Sequence, residues 1–145
     1  MKHIIFSTFL IGVFLAVAPV FAQDHHHGSA HEGAGEAKPI VEIMQGMNAD
    51  LNRLTDAIVM ENFQLITSAA HNIVNHPDIN QEDLHNLFER LGPRKDAFIA
   101  CDTAVHNLAR DIAKAGEQEN IDLVLEKYSA MLSKTVECHR EYRIK

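Results

Sequence analysis

Apolar residues recur at spacings of three and four along four long stretches of this 145-residue chain. Such spacing puts apolar side chains on one face of an α-helix, and no stretch alternates as a half-buried β-strand does. The residues predicted to face inward are Met44, Met47, Leu51, Leu54 and Ile58; Phe63, Ile66, Ala70 and Ile73; Phe98, Cys101, Val105, Leu108 and Ile112; and Val124, Tyr128, Met131, Thr135, Cys138 and Tyr142, flanked by Ile121, Leu125, Leu132 and His139. The pattern predicts an all-α protein.

Helix-breaking residues divide this pattern into two hairpins. Pro39 suits the first turn of a helix, and Glu61 with Asn62 interrupts the first pair of helices. In the second pair, Gly116 is predicted to close the third long helix as its C-cap, and Asn120 to cap the fourth. Because both breaks are short, each pair is expected to be antiparallel.

A short helix is predicted between the hairpins. His76 followed by Pro77 ends the second long helix, because the residue before proline resists the α conformation. Asn80 and Asp83 resemble a capping box that opens the short helix, which ends before Pro93. The expected fold is an up-down-up-down four-helix bundle with a short crossover helix.

The N-terminal residues 1–22 have the features of a secretory signal peptide. Lys2 precedes a mostly apolar run, and small residues favour cleavage after Ala22. The run is too short for a membrane span. We therefore expect an exported protein, periplasmic in a bacterium, with residues 23–38 as a flexible tail and residues 39–145 as the bundle.

The predicted tail is rich in histidine, with His25, His26, His27 and His31. If cleavage follows Ala22, the new amine, two backbone amides and the imidazole of His25 can surround Cu(II) or Ni(II) in a square plane. The alternative is a solvated linker, since the segment is polar and glycine-rich. Metal binding by the tail is thus one of two open interpretations.

The charge balance excludes some partners. With 13 basic and 20 acidic residues, the chain has a net charge of −7, which argues against nucleic acid and anionic membranes. An acidic surface suits a basic redox partner. No nucleophile motif, phosphate loop or paired carboxylates indicate an enzyme.

The sequence TVECHREYR, starting at Thr135, contains half of a haem motif. A c-type haem site has the form Cys-x-x-Cys-His, in which two thioethers hold the porphyrin and the histidine binds iron. Here Cys138 and His139 match the second half, while Thr135 occupies the first cysteine position. Taken alone, the dipeptide also fits a partly buried histidine at a helix end.

In this context the chain resembles the cytochrome c′ family and its periplasmic b-type four-helix relatives. The resemblance extends from Pro39 to the end and includes EIMQGMNADL, AAHNIVNHP and FIACDTAVHNLA. It implies that His139 binds haem iron, with Arg143 four residues beyond. It also implies Met44 as the opposite ligand, with Met47 as its rival, and a homodimer through the first helix.

The threonine at position 135 leaves the attachment open. Haem could form a single thioether with Cys138, or bind non-covalently through His139; alternatively, a thiolate beside an imidazole suits Cu(I) or Zn(II). Pairing of Cys138 with Cys101 is not expected, because a turn near Gly116 to Glu119 would leave the two roughly 6–9 Å out of level on neighbouring helices. Cys101 is therefore predicted to be a buried thiol.

A second group of candidate ligands lies on other helices. Asp102 and His106 are four residues apart, and His76 at the end of the second helix is expected nearby. The three could bind a divalent metal, or simply form an Asp–His contact.

Taken together, the resemblance and the candidate ligands predict a haem-binding protein for electron transfer or gas binding. The alternative is a copper- or transition-metal-binding bundle without haem.

Overall fold

The computed structural model describes residues 36–142, which are almost entirely helical. The helices are α1 (Ile40–Val59), α2 (Phe63–Val74), α3 (Gln81–Leu91), α4 (Lys95–Glu117) and α5 (Ile121–Tyr142), with one 3₁₀ turn, Gly92–Arg94, before α4. This part of the chain contains no strand, only an isolated bridge between Lys38 and Ile79. The predicted all-α class is confirmed, and a short helix, α3, is present where a crossover helix was predicted. None of these helices is long and apolar enough to cross a membrane.

The helices pack in chain order, α1 on α2, α2 on α4 and α4 on α5. Asn72 of α2 donates a hydrogen bond to Asp50 of α1 at 3.3 Å. On the other side of α2, the Thr67 hydroxyl lies 3.5 Å from the carbonyl oxygen of Ala113. Phe98 of α4 meets Tyr142 edge-on, with ring centroids 5.5 Å apart. Phe98 is near the start of α4 and Tyr142 at the end of α5, so these two helices are antiparallel, and the short turn after Val59 makes α1 and α2 antiparallel as well.

Aliphatic side chains and alanines form the core. The largest fully buried side chains are Leu54, Ile66, Ile112, Val124 and Met131. The prediction for α1 was partly wrong: Ile43 is buried, whereas Met44 is 40% exposed. The inward face of α1 is therefore rotated slightly from the one predicted by spacing alone.

Gly116 does not cap α4, which corrects the prediction. It is buried inside the last turn, and a Cβ there would lie 2.6 Å from Thr67 Oγ1. Its role is the close approach of α4 to α2. The left-handed conformation instead belongs to Glu119, with φ of 51°.

The two hairpin turns have the same construction. Glu61 and Glu119 both have positive φ, 49° and 51°. The side chain of Asn62 accepts from the Leu65 amide at 3.1 Å, and that of Asn120 accepts from the Leu123 amide at 3.0 Å. The predicted break and the predicted Asn120 cap are confirmed, since asparagine oxygens satisfy free amides at helix starts.

The start of α1 is tied to the start of α3. Lys38 donates its amide to Asp78 at 2.8 Å and accepts from Asn80 at 2.9 Å. Asn80 caps the Asp83 amide at 2.8 Å, as predicted, but the Asp83 carboxylate accepts from the Ile40 amide at 2.9 Å. The Asp83 carboxylate thus satisfies a free amide at the start of α1. It also joins the starts of α1 and α3 near His76.

Candidate functional site

A disulfide joins Cys101 of α4 to Cys138 of α5, with Cα atoms 6.1 Å apart. The expectation that these residues lie out of level is therefore wrong. The turn is centred on Glu119, later than predicted, because α4 continues through Gly116 to Glu117. The two cysteines are then nearly equidistant from the turn along antiparallel helices.

The disulfide changes the chemistry available at Cys138. A thioether to a haem vinyl group requires a free thiol, and coordination of Cu(I) or Zn(II) requires a thiolate. Neither exists while the sulfur is bonded to Cys101. The predicted single thioether, the predicted Cys138 metal ligand and the predicted free thiol at Cys101 are corrected accordingly.

His139 lies on the outer surface of α5, not on the inward face as predicted. Cys138 faces α4, and the next residue is rotated by about 100° around the helix. Thr135 is half-buried, and its hydroxyl donates to the Met131 carbonyl at 2.8 Å. Met44 is exposed, and Arg143 lies outside the described residues, so the structure does not gather the predicted haem ligands into one buried site.

The C-terminal end of α5 is held against the start of α4. Arg94 donates to the Glu141 carbonyl at 3.2 Å and lies 3.4 Å from its carboxylate. The same guanidinium lies 5.9 Å from the centre of the Tyr142 ring, which also contacts Phe98. A surface cavity of 580 Å³ beside these contacts is lined by alanines and charged side chains, including Arg140.

The second predicted group of ligands does come together. The rings of His76 and His106 lie 5.1 Å apart between centroids, tilted by 37°. Asp102 places Oδ2 3.3 Å from Nδ1 of His106, one turn along α4. His76 follows the end of α2, and α2 packs on α4, so helix packing brings the two imidazoles into contact.

The nitrogen atoms of these rings have different partners. Nδ1 of His76 lies 2.7 Å from the Pro77 carbonyl, so it donates a proton there and Nε2 retains its lone pair. Nδ1 of His106 faces Asp102, which favours the same tautomer. Within residues 36–142, Nε2 of His106 is the buried side-chain nitrogen or oxygen without a hydrogen-bond partner.

A cavity of 530 Å³ opens beside His76 between the start of α1 and the end of α2. Its lining includes Met47, Asp50 and Glu42 as well as His76. No group of three or more His, Cys, Asp or Glu side chains with metal-binding geometry occurs among the described residues. His76 and His106 are therefore a pair of candidate ligands rather than a complete set of three.

The four tail histidines, His25, His26, His27 and His31, lie outside the described residues. Sequence reasoning found the His76, Asp102 and His106 group from helical spacing. It did not find the disulfide, although two cysteines in a chain that is expected to be exported are themselves a signal for one. Comparison with protein-family models, with curated proteins and with solved structures gives no match to this chain.

Proposed function

We propose that this protein is an exported metal-binding protein that holds one transition-metal ion through the Nε2 atoms of His76 and His106. The observation that carries the proposal is the buried, unpartnered Nε2 of His106 beside a second imidazole. A buried acceptor without a partner costs about 1–3 kcal/mol. A metal ion bound to that lone pair would offset the cost.

The ring spacing supports a shared ion. Two imidazoles that bind one ion through nitrogen at about 2.0–2.1 Å have ring centroids roughly 5–6 Å apart. The separation of 5.1 Å between His76 and His106 falls in this range. The remaining coordination positions would face the cavity beside His76.

Asp102 and the Pro77 carbonyl would act on the ion indirectly. Metal-bound histidines usually direct their other ring nitrogen at a carboxylate or a carbonyl oxygen, which fixes the ring orientation and the tautomer. His106 has Asp102 in this position, and His76 has the Pro77 carbonyl. Both imidazoles are therefore prepared to bind through Nε2.

The proposal also includes the bundle topology, the export and the non-enzymatic role that the sequence predicts. The packing of α1 on α2, α2 on α4 and α4 on α5 supports an up-down-up-down four-helix bundle. The cytochrome c′ type of that bundle rests on the sequence resemblance alone. The sequence supports export to the periplasm with cleavage after Ala22, and a binding role without catalysis. We also propose a homodimer, from the family resemblance, and a basic protein partner, from the negative net charge.

The test is a calorimetric titration of the chain from Gln23 onward with Zn(II) and Cu(II). The tail histidines would be replaced by asparagine (H25N, H26N, H27N and H31N) to remove their contribution. We expect one equivalent to bind, and His106→Asn or His76→Asn to weaken binding at least tenfold.

His85→Asn is the matched control, because His85 is 74% exposed on α3 and lies 4.0 Å from Glu89. It should bind metal as the parent does. Unchanged affinity in His106→Asn, or no saturable binding by the parent, would overturn the proposed site.

Haem binding remains a second proposal, now without a covalent bond, with His139 as the iron ligand and Met44 opposite. It rests on the resemblance of the last helix to cytochrome c′ rather than on a preformed pocket. On this proposal, added haem gives a Soret band that His139→Ala abolishes. An identical spectrum in that variant removes His139 as the ligand.

A further inference from the structure

We infer that the ion bound between His76 and His106 is monovalent copper and that the thioether of Met47 is its third ligand. The inference rests on the proposed function, because it concerns the same site. It adds Met47 to the proposed ligands, and it specifies Cu(I) among the transition-metal ions that two imidazoles can bind.

Helix register places Met47 beside the site. The hydrogen bond between Asp50 and Asn72 sets the level at which α1 meets α2. Met47 is nearly one turn before Asp50, and His76 follows Asn72 by about one turn. Because α1 and α2 are antiparallel, Met47 therefore lies at the level of His76. Met47 and His76 line the same cavity. Met47 is half-buried, whereas Met44, three residues earlier on α1, is exposed.

The nearby carboxylates already have partners. Asp50 accepts from both Arg53 and Asn72. Glu42 pairs with Lys38, and Asp102 faces the ring of His106. The imidazole of His76, with that of His106 beside it, and the thioether of Met47 remain as uncharged ligands, and the other uncharged oxygen donors in the lining are side-chain amides such as those of Gln45 and Asn75.

Neutral donors favour a monovalent ion. Three uncharged ligands do not neutralise the charge of the ion that they bind. The free-energy cost of removing an ion from water rises steeply with its charge, so a divalent ion would cost more than a monovalent one. Thioether sulfur is a soft ligand that selects Cu(I), whereas Zn(II) gains little from it. Both arguments point to Cu(I) over Zn(II) at this site.

The test compares Cu(I) and Zn(II) binding in Met47→Leu, which conserves side-chain volume. Cu(I), kept reduced by ascorbate without oxygen, would be titrated against bicinchoninate in the variant that lacks tail histidines. We expect Met47→Leu to lower Cu(I) affinity at least tenfold and to change Zn(II) affinity less than twofold. Met60→Leu is the control, because Met60 is 62% exposed at the far end of α1, and it should change neither affinity.

X-ray absorption of the Cu(I) form gives an independent readout. We expect one sulfur scatterer with two imidazoles in the parent and no sulfur in Met47→Leu. A sulfur-free parent spectrum, or equal Cu(I) affinity in parent and Met47→Leu, overturns the Met47 assignment. If His106→Asn still loses metal in that case, the proposed site stands; if His106→Asn binds normally, both fail.

Discussion

Tyr128 of α5 and Thr55 of α1 bring their hydroxyl oxygens to 2.6 Å. Thr55 also donates to the carbonyl of Leu51 at 2.9 Å, so its single hydroxyl proton is used there. Tyr128 must therefore donate to Thr55. This hydrogen bond links the first and last helices, which otherwise make few contacts.

Tyr128→Phe should lower the free energy of unfolding by about 0.5–1.5 kcal/mol, since it removes this hydrogen bond and keeps the ring. Urea denaturation of the parent and the variant measures the change. Thr55→Val and the double variant complete a mutant cycle. Additive losses in the cycle would show that the two hydroxyls do not interact in solution.

Removing the disulfide should destabilise the fold strongly. Cys101 and Cys138 are separated by 37 residues in sequence, and a cross-link over such a loop stabilises by about 2–4 kcal/mol through the unfolded chain. Cys101→Ala combined with Cys138→Ala should lower the thermal midpoint by the corresponding amount.

The reducing agent TCEP provides the control for that variant. It should lower the melting temperature of the parent and leave that of the double variant unchanged. A parent whose midpoint does not respond to complete reduction would contradict the stabilising role of the bond.

Gly116→Ala and Gly46→Ala should have opposite effects. At Gly116 the new Cβ would meet Thr67 Oγ1 at 2.6 Å and Ile66 Cγ2 at 3.2 Å, whereas at Gly46 nothing lies within 4 Å. Overpacking costs about 1–3 kcal/mol, which outweighs the helix gain of about 0.5–1 kcal/mol. Urea midpoints should fall for the first variant and rise for the second; the same sign in both would refute the close contact.

His106→Leu should stabilise the metal-free protein. The substitution removes a buried nitrogen that has no hydrogen-bond partner, whose cost is about 1–3 kcal/mol, and replaces the imidazole with an apolar side chain of similar size. Thermal unfolding in EDTA measures the change, with His85→Leu as a surface control near zero. A large loss of stability would mean that the imidazole is needed for folding.

The helices were predictable because their signals are local. The spacing of apolar residues locates the helices, and the caps at Asn62, Asn80 and Asn120 mark where three of them begin. Neither signal depends on residues elsewhere in the chain. Met44 and Met47 both fit the periodic pattern, and only packing against α2 decides which of them turns inward.

The error at the cysteines came from one residue. Taking Gly116 as a helix end moved the predicted turn toward Cys101, and the resulting change of register put Cys101 and Cys138 at different levels on α4 and α5. Glycine has two uses, a left-handed cap and a close helix contact, and the sequence does not distinguish them. The contact with Thr67 comes from a distant helix, so only the folded chain reveals it.

The bond between Cys101 and Cys138 turns most of α4 and α5 into a covalent ring closed near the open end of their hairpin. A protease that cuts anywhere inside the ring leaves both fragments attached. A force that pulls the chain ends apart can unravel α1, α2 and α3, but the ring adds no contour length while the bond is intact. In an oxidising environment, mechanical extension of this protein therefore stops well short of its full length.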